Sequence, residues 1–119
     1  MKNVRQFYTP RATFYANIFV TYFCNLACKI CLASCNPGRS KDILPISDIL
    51  FYIEEFRKNY VFSRSVVING GEPTSAYYHH SNDYLPTLNS ELLKRNCNIE
   101  LHTNSVWAVS KKQILYGMV

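Results

Sequence analysis

Stretches with strand-like periodicity alternate with stretches of helical periodicity along the chain. Residues 14–23 are rich in β-branched and aromatic types, residues 65–70 ("SVVING") form a short apolar run, and residues 98–104 alternate as a strand does. Two amphipathic patterns separate these runs, and a third helix is expected at residues 110–116. This order predicts an α/β domain with a parallel sheet, because helical crossovers join parallel strands.

The two amphipathic patterns predict helices that cover the sheet. In residues 47–60, with Ser47 expected as N-cap and Asp48 in the first turn, one helical face carries Ile49, Leu50, Ile53, Phe56 and Tyr60. Asp83 is expected to cap a second helix, with Pro86 in its first turn and an apolar face of Leu85, Leu88, Leu92 and Leu93. The strand at residues 65–70 is expected to be covered on both faces, and the polar residues 37–41 are expected to form an exposed loop.

Composition favours one globular domain. The chain has 119 residues, of which 48% are hydrophobic, and this suits a single core. The apolar run at residues 12–23 is too short to cross a bilayer and lacks a signal-peptide cleavage site. A cytoplasmic location without membrane insertion is therefore expected. The net charge of +5 favours acidic partners, but no run of five basic residues indicates nucleic acid.

Three cysteines fall within eight residues, "CNLACKIC", at Cys24, Cys28 and Cys31. Clustered thiols in a cytoplasmic protein favour metal ligation over disulfides, and the odd total of five agrees with this. Thiolates are the usual ligands of iron-sulfur clusters, and a four-iron cubane normally takes four of them. Three ligands would leave one iron open to another molecule. Zinc completed by Cys35 or by a histidine of the His79, His80 pair is the alternative, although zinc ligands usually come as two separated pairs.

Several polar or sulfur-containing residues have a structural explanation that competes with a functional one. Cys35 can be a small hydrophobe or a surface thiol, and Cys97 is expected to be structural. His79 and His80 are expected to be solvated loop residues. His102 is expected to be packed or hydrogen-bonded rather than a general acid.

Each predicted strand is followed by a polar or glycine-rich segment. The cysteine loop, the "NGGEP" turn and "HTNS" all follow strands, and these ends of parallel strands lie at one edge of a sheet. The three segments are therefore expected to meet in space.

With these segments in order, the chain resembles the radical S-adenosylmethionine (SAM) enzymes. The resemblance rests on CxxxCxxC in "TYFCNLACKIC", on "NGGEPT" at residues 69–74 and on "HTNS" at residues 102–105. It implies a parallel-stranded partial (β/α) barrel and a [4Fe-4S] cluster on the three cysteines. SAM would chelate the fourth iron. One electron would then cleave SAM to methionine and a 5'-deoxyadenosyl radical, which abstracts hydrogen from a substrate that the resemblance does not name.

The resemblance also implies cofactor contacts. Gly70, Gly71 and Glu72 would line the methionine end of SAM, although Glu72 could instead hold the turn. Asn104 would contact the SAM carboxylate or ribose, or else cap the following turn. Ile30 stands where the family often places an aromatic residue against adenine. Ser105 replaces a common glycine, a mild change if its φ is negative.

The family's barrel has about six strand-helix units, whereas this chain has room for three. Residues 1–119 are therefore expected to be the N-terminal part of a radical SAM core domain, so activity of this chain alone is not implied. An acidic electron donor such as a flavodoxin would suit the basic charge. The alternatives are a non-catalytic iron-sulfur or zinc-binding module and a truncated, poorly folded product.

Overall fold

A computed structural model describes residues 14–60 and 62–106. Strands β1 (Phe14–Phe19), β2 (Phe62–Asn69) and β3 (Asn98–Leu101) form a parallel sheet in the order β1-β2-β3. This part of the chain is therefore a small α/β domain, as predicted.

Helical segments connect the strands. Helix α1 (Ile46–Asn59) lies between β1 and β2. A 3₁₀ turn (Pro73–Ser75), the short helix α2 (Ala76–His79) and helix α3 (Tyr84–Lys94) lie between β2 and β3. The helix predicted at residues 110–116 lies outside the described residues.

The hydrophobic core lies between one face of the sheet and the two long helices. Alternate residues of the strands point toward the helices, because successive side chains of a strand face opposite sides. This core includes Ala16, Val66 and Ile68 from the strands, Ile49 and Ile53 from α1, and Leu88 and Leu92 from α3. Cys97 is also buried in it, which confirms its predicted structural role.

The opposite face of the sheet is open in the described part of the chain. Within residues 14–60 and 62–106, the expectation that residues 65–70 are covered on both faces is not met: Val66 and Ile68 are buried, whereas Ser65, Val67 and Asn69 are half-buried. A groove of about 430 Å³ runs along this face and is lined by Tyr15, Asn17, Ser63, Ser65, Val67, Glu100 and His102. A pattern of six residues is too short to distinguish a strand that is buried on both faces from a strand with one polar face. Ser65 and Asn69 lie on the polar face of β2.

Some predicted element ends differ from the structure. β1 ends at Phe19 rather than at residue 23, and α1 begins at Ile46, so Ser47 lies inside the helix and does not cap it. Asp83 occupies the N-cap position of α3 without a side-chain capping bond. Asp48 lies in the first turn of α1, and Pro86 lies in the first turn of α3, as predicted.

The helical faces were predicted well except at their margins. Ile49, Ile53, Leu88 and Leu92 are buried, whereas Tyr60 is 57% exposed and Leu93 is 56% exposed. Tyr60 follows the last residue of α1, and Leu93 is turned by about 100° from Leu92, away from the core. Residues 37–41 are exposed, as predicted, and no helix in the described ranges is long and apolar enough to cross a membrane.

Candidate functional site

The segments that follow the three strands meet at one edge of the sheet, as predicted. The turn after β2 is bonded to the segment after β1, since the Gly71 N–H donates to the Thr21 carbonyl and the Glu72 N–H to the Phe23 carbonyl, both at 2.8 Å. The same turn is bonded to the segment after β3 through the Glu72 side chain. The three segments therefore form one hydrogen-bonded unit.

The two glycines allow this close approach. Gly70 has a φ of +146°, and a Cβ on it would lie 2.5 Å from the Thr21 carbonyl oxygen. A Cβ on Gly71 would lie 2.1 Å from the Phe23 carbonyl oxygen. Both distances are shorter than any normal contact, so a side chain at either position would push the turn away from the backbone that leads into Cys24. Their predicted contact with SAM stays a prediction.

Glu72 is the centre of the unit. It is only 2% exposed. Its Oε1 accepts from Thr74 N–H at 3.0 Å, and also from the Thr74 and Thr103 hydroxyls, while its Oε2 accepts from Asn104 N–H at 2.8 Å. A buried carboxylate needs such partners. This geometry favours the alternative in which Glu72 holds the turn.

Asn104 links the segment after β3 to the cysteine loop. Its Oδ1 accepts from Val106 N–H at 3.1 Å, which is the predicted alternative of a cap on the following turn. Its Nδ2 donates to Asn25 Oδ1 at 2.8 Å and approaches Cys24 Sγ at 3.8 Å. Direct contact of this side chain with SAM stays a prediction.

The cysteine loop is closed at its base by backbone pairing. The Cys24 N–H donates to the Asn36 carbonyl at 3.3 Å, beside an isolated bridge between Phe23 and Asn36. Two successive turns follow, in which Cys31 N–H donates to Cys28 O and Ser34 N–H to Cys31 O. The short CxxxCxxC spacing therefore lies on a tightly turned loop.

The three cysteines of the motif differ in exposure. Cys24 is buried, Cys28 is exposed and Cys31 is half-buried. The Sγ of Cys24 accepts from Leu26 N–H, and the Sγ of Cys31 accepts from Cys35 N–H, both at 3.4 Å. The backbone N–H groups of Cys35 and Ala33 lower the pKa of the Cys31 thiol, which favours the thiolate form that binds metals.

Cys35 is buried beside the motif. Its N–H donates to Cys31 Sγ at 3.4 Å, and its thiol donates to the Ala33 carbonyl at 3.8 Å. Burial, followed by the neighbouring Cys31, raises the pKa of the Cys35 thiol. The interpretation as a surface thiol is therefore wrong, because the loop folds back and brings Cys35 under the turn that carries Cys31. A neutral thiol at this position is the favoured state.

The cysteines are free, and they are not gathered around one point. All five cysteines are free thiols. Within residues 14–60 and 62–106, no group of three or more Cys, His, Asp or Glu side chains is gathered to hold one metal ion. The [4Fe-4S] cluster that the resemblance implies for Cys24, Cys28 and Cys31 stays a prediction.

The histidines and Ile30 are all exposed. His79 lies at the end of α2 with its ring 4.7 Å from that of Phe23, and His80 follows the helix. They are solvated, as predicted, but His79 belongs to a short helix rather than to a loop. His102 is hydrogen-bonded to Glu100, in agreement with its predicted role, although it is not packed. Ile30 is 90% exposed, and its adenine contact stays a prediction.

The replacement of a common glycine by Ser105 was expected to be mild if the φ angle of Ser105 were negative, and this condition is not met. Its φ is +59°, in the left-handed region that favours glycine. The Ser105 N–H donates to the Thr103 hydroxyl at 3.1 Å, a local contact that accompanies this conformation.

Sequence reasoning missed three residues of the site: Asn25, Thr74 and Thr103. Each makes a hydrogen bond to Glu72 or Asn104. Asn25 and Thr74, with Glu72 and Asn104, also line a cavity of about 260 Å³ between the cysteine loop and α2. Thr74 and Thr103 lie inside the motifs "NGGEPT" and "HTNS", so these motifs could have identified them from the sequence.

Comparisons with protein-family models, with curated proteins and with solved structures found no match to this chain.

Proposed function

We propose that this chain carries the cluster-binding part of a radical SAM enzyme. The observation that carries the proposal is the arrangement of the three segments that follow the strands. The cysteine loop carries three free thiols, the "NGGEP" turn donates two backbone hydrogen bonds to the residues just before that loop, and Asn104, after β3, donates to Asn25 in the loop. In barrels of parallel strands, active sites are built from the loops at this end of the strands.

The proposed roles are those that the resemblance implies for these residues, except that Glu72 holds the turn. Cys24, Cys28 and Cys31 hold a [4Fe-4S] cluster, which when bound supplies the electron that cleaves SAM to methionine and a 5'-deoxyadenosyl radical. The backbone of Gly70 and Gly71 receives the methionine end of SAM, and Ile30 packs against adenine. Glu72 keeps the turn in place, since both of its oxygens accept hydrogen bonds from the protein.

The open face of the sheet supports a partial-barrel arrangement. In a barrel, strand residues alternate between the interior and the surrounding helices. Here the helix-facing residues form the core, and the opposite residues line a polar groove. We assign that groove to the barrel interior. We also propose a cytoplasmic location for the protein.

Anaerobic reconstitution of the chain with iron and sulfide tests the proposal. After reduction, SAM should change the EPR signal of the cluster and yield 5'-deoxyadenosine and methionine in equal amounts. Because the family barrel is longer, the SAM-dependent EPR change is the primary measurement. A reconstituted protein without a cluster, or with a cluster indifferent to SAM, would refute the proposal.

Cys28→Ala and Cys35→Ala form a matched pair for the ligand set. The first should abolish the SAM response, whereas the second should retain it, because Cys35 lies outside the proposed trio. The hydrogen bond from Cys35 N–H to Cys31 Sγ, at 3.4 Å, favours a second candidate, a non-catalytic metal-binding module in which Cys35 is a ligand. That candidate predicts that Cys35→Ala loses the metal, as measured by elemental analysis for zinc and iron.

A further inference from the structure

We propose that Asn104 is a positioning residue that donates a hydrogen bond to the sulfur of Cys24 and thereby raises the reduction potential of the bound cluster. This inference rests on the proposed function, because it concerns the same cluster. It assigns to the Asn104 amide a role other than SAM binding or turn capping alone.

The contacts of the Asn104 side chain fix its orientation. Oδ1 accepts from Val106 N–H at 3.1 Å, which directs the amide nitrogen to the other side. That nitrogen donates to Asn25 Oδ1 at 2.8 Å and lies 3.8 Å from Cys24 Sγ. Both bonds cross from the segment after β3 to the cysteine loop.

The backbone of Asn104 is fixed as well. Its N–H donates to Oε2 of the buried Glu72 at 2.8 Å, while Glu72 N–H donates to the Phe23 carbonyl at 2.8 Å. The path from Phe23 through Glu72 to Asn104 returns to Cys24, which adjoins Phe23. This closed loop of hydrogen bonds holds the amide against the sulfur without depending on a long flexible side chain.

The electronic consequence follows from the chemistry of thiolate ligands. An N–H donor withdraws electron density from a coordinating sulfur and stabilises the reduced, more negative cluster. Cys24 Sγ also accepts from Leu26 N–H at 3.4 Å. The sulfur of Cys24 therefore receives two N–H donors, one from its own loop and one from a side chain 80 residues away.

Asn104→Asp with Asn25→Asp as its control tests the inference. Asn104→Asp keeps the oxygen that caps Val106 but removes the donor. Asn25→Asp adds the same charge to the site and keeps the oxygen that accepts from Asn104. In an EPR-monitored redox titration, Asn104→Asp should lower the ratio of reduced to oxidised cluster at fixed poise about tenfold, or about 59 mV for a one-electron couple. Asn25→Asp should produce a clearly smaller shift. Equal shifts, or none, would overturn the inference.

A second measurement separates this inference from the proposed function. In the metal-free protein, Asn104→Ala should speed alkylation of Cys24 by iodoacetamide, followed by mass spectrometry, while the buried Cys97 keeps its rate. If the wild-type chain assembles no cluster, the proposed function fails and the alkylation result still decides whether Asn104 holds Cys24. Unchanged Cys24 reactivity would overturn the contact itself. If Asn104→Asp fails to assemble the cluster while the wild type does, the alkylation rate of Cys24 in Asn104→Ala decides whether Asn104 contacts Cys24.

Discussion

At the scale of single residues, the turn after β2 depends on two residues that have no side chain, Gly70 and Gly71. Gly70 and Gly71 bring their backbone so close to Thr21 and Phe23 that a Cβ at either would overlap a carbonyl oxygen. The overlapped atoms are backbone, which cannot rotate away as a side chain would. The requirement for glycine is therefore set by the protein's own packing, whether or not a cofactor is bound.

Gly71→Ala tests this requirement. We expect it to lower the free energy of unfolding by about 1–3 kcal/mol, because the new methyl group must displace the Phe23 carbonyl. Gly38→Ala is the matched control, since its Cβ would meet only the Asn36 side-chain oxygen at 3.1 Å, in an exposed loop. Urea denaturation followed by circular dichroism compares the two variants. Equal stability of both variants would contradict the expectation.

At the scale of elements, α3 is attached to the segment that precedes α1. The hydroxyl of Tyr84, the first residue of α3, donates to the carbonyl of Leu44. Burial raises the pKa of Tyr84 to about 12, above its usual value of about 10. The buried phenol is therefore favoured in its neutral form, and its contribution to stability is complete below pH 10 and declines toward pH 12.

Tyr84→Phe should therefore have an effect that depends on pH. Near pH 8 the wild type should be more stable by about 1 kcal/mol, the usual contribution of one hydrogen bond. Near pH 11 this difference should shrink or reverse, because the unfolded wild type gains stability by ionising Tyr84 while the variant does not. Chemical denaturation at the two pH values measures the difference in the free energy of unfolding between the wild type and the variant. A difference that is independent of pH would be inconsistent with the buried hydrogen bond.

At the scale of the whole molecule, the net charge is positive, and two of the basic side chains lie close to the candidate site. The net charge is +5, and two of the basic side chains lie over aromatic rings next to the cysteine loop. Arg39 lies over Tyr22, with its guanidinium carbon 5.1 Å from the ring centroid, and Lys41 lies over Phe23 at 5.7 Å. An acidic electron donor would meet these charges beside the proposed cluster.

Reduction of the reconstituted cluster by a flavodoxin should therefore slow as salt increases. Raising the ionic strength from about 10 mM to about 150 mM shortens the Debye length from about 30 Å to about 8 Å. Stopped-flow absorbance measures the rate, with a small uncharged photoreductant as the control that salt should not affect. Lys41→Gln should weaken the dependence more than Lys58→Gln, because Lys58 lies at the far end of α1. A rate independent of salt would argue against electrostatic docking.

The order of the elements, and the edge of the sheet at which the motifs meet, could be predicted from local patterns in the amino-acid sequence. Strand and helix periods are local properties, and parallel topology then brings the segments after the strands together. The helical faces at Ile49, Ile53, Leu88 and Leu92 were predictable for the same reason.

Contacts between residues far apart in the chain could be known only from the folded molecule. Glu72 is bonded to residues 31 and 32 positions away, and Asn104 reaches Cys24 across 80 positions. The burial of Cys35 and the open face of β2 likewise depend on how the chain folds back and on what covers the sheet. No local pattern encodes these relations, because each is set by the positions of two or more segments that only the fold brings together.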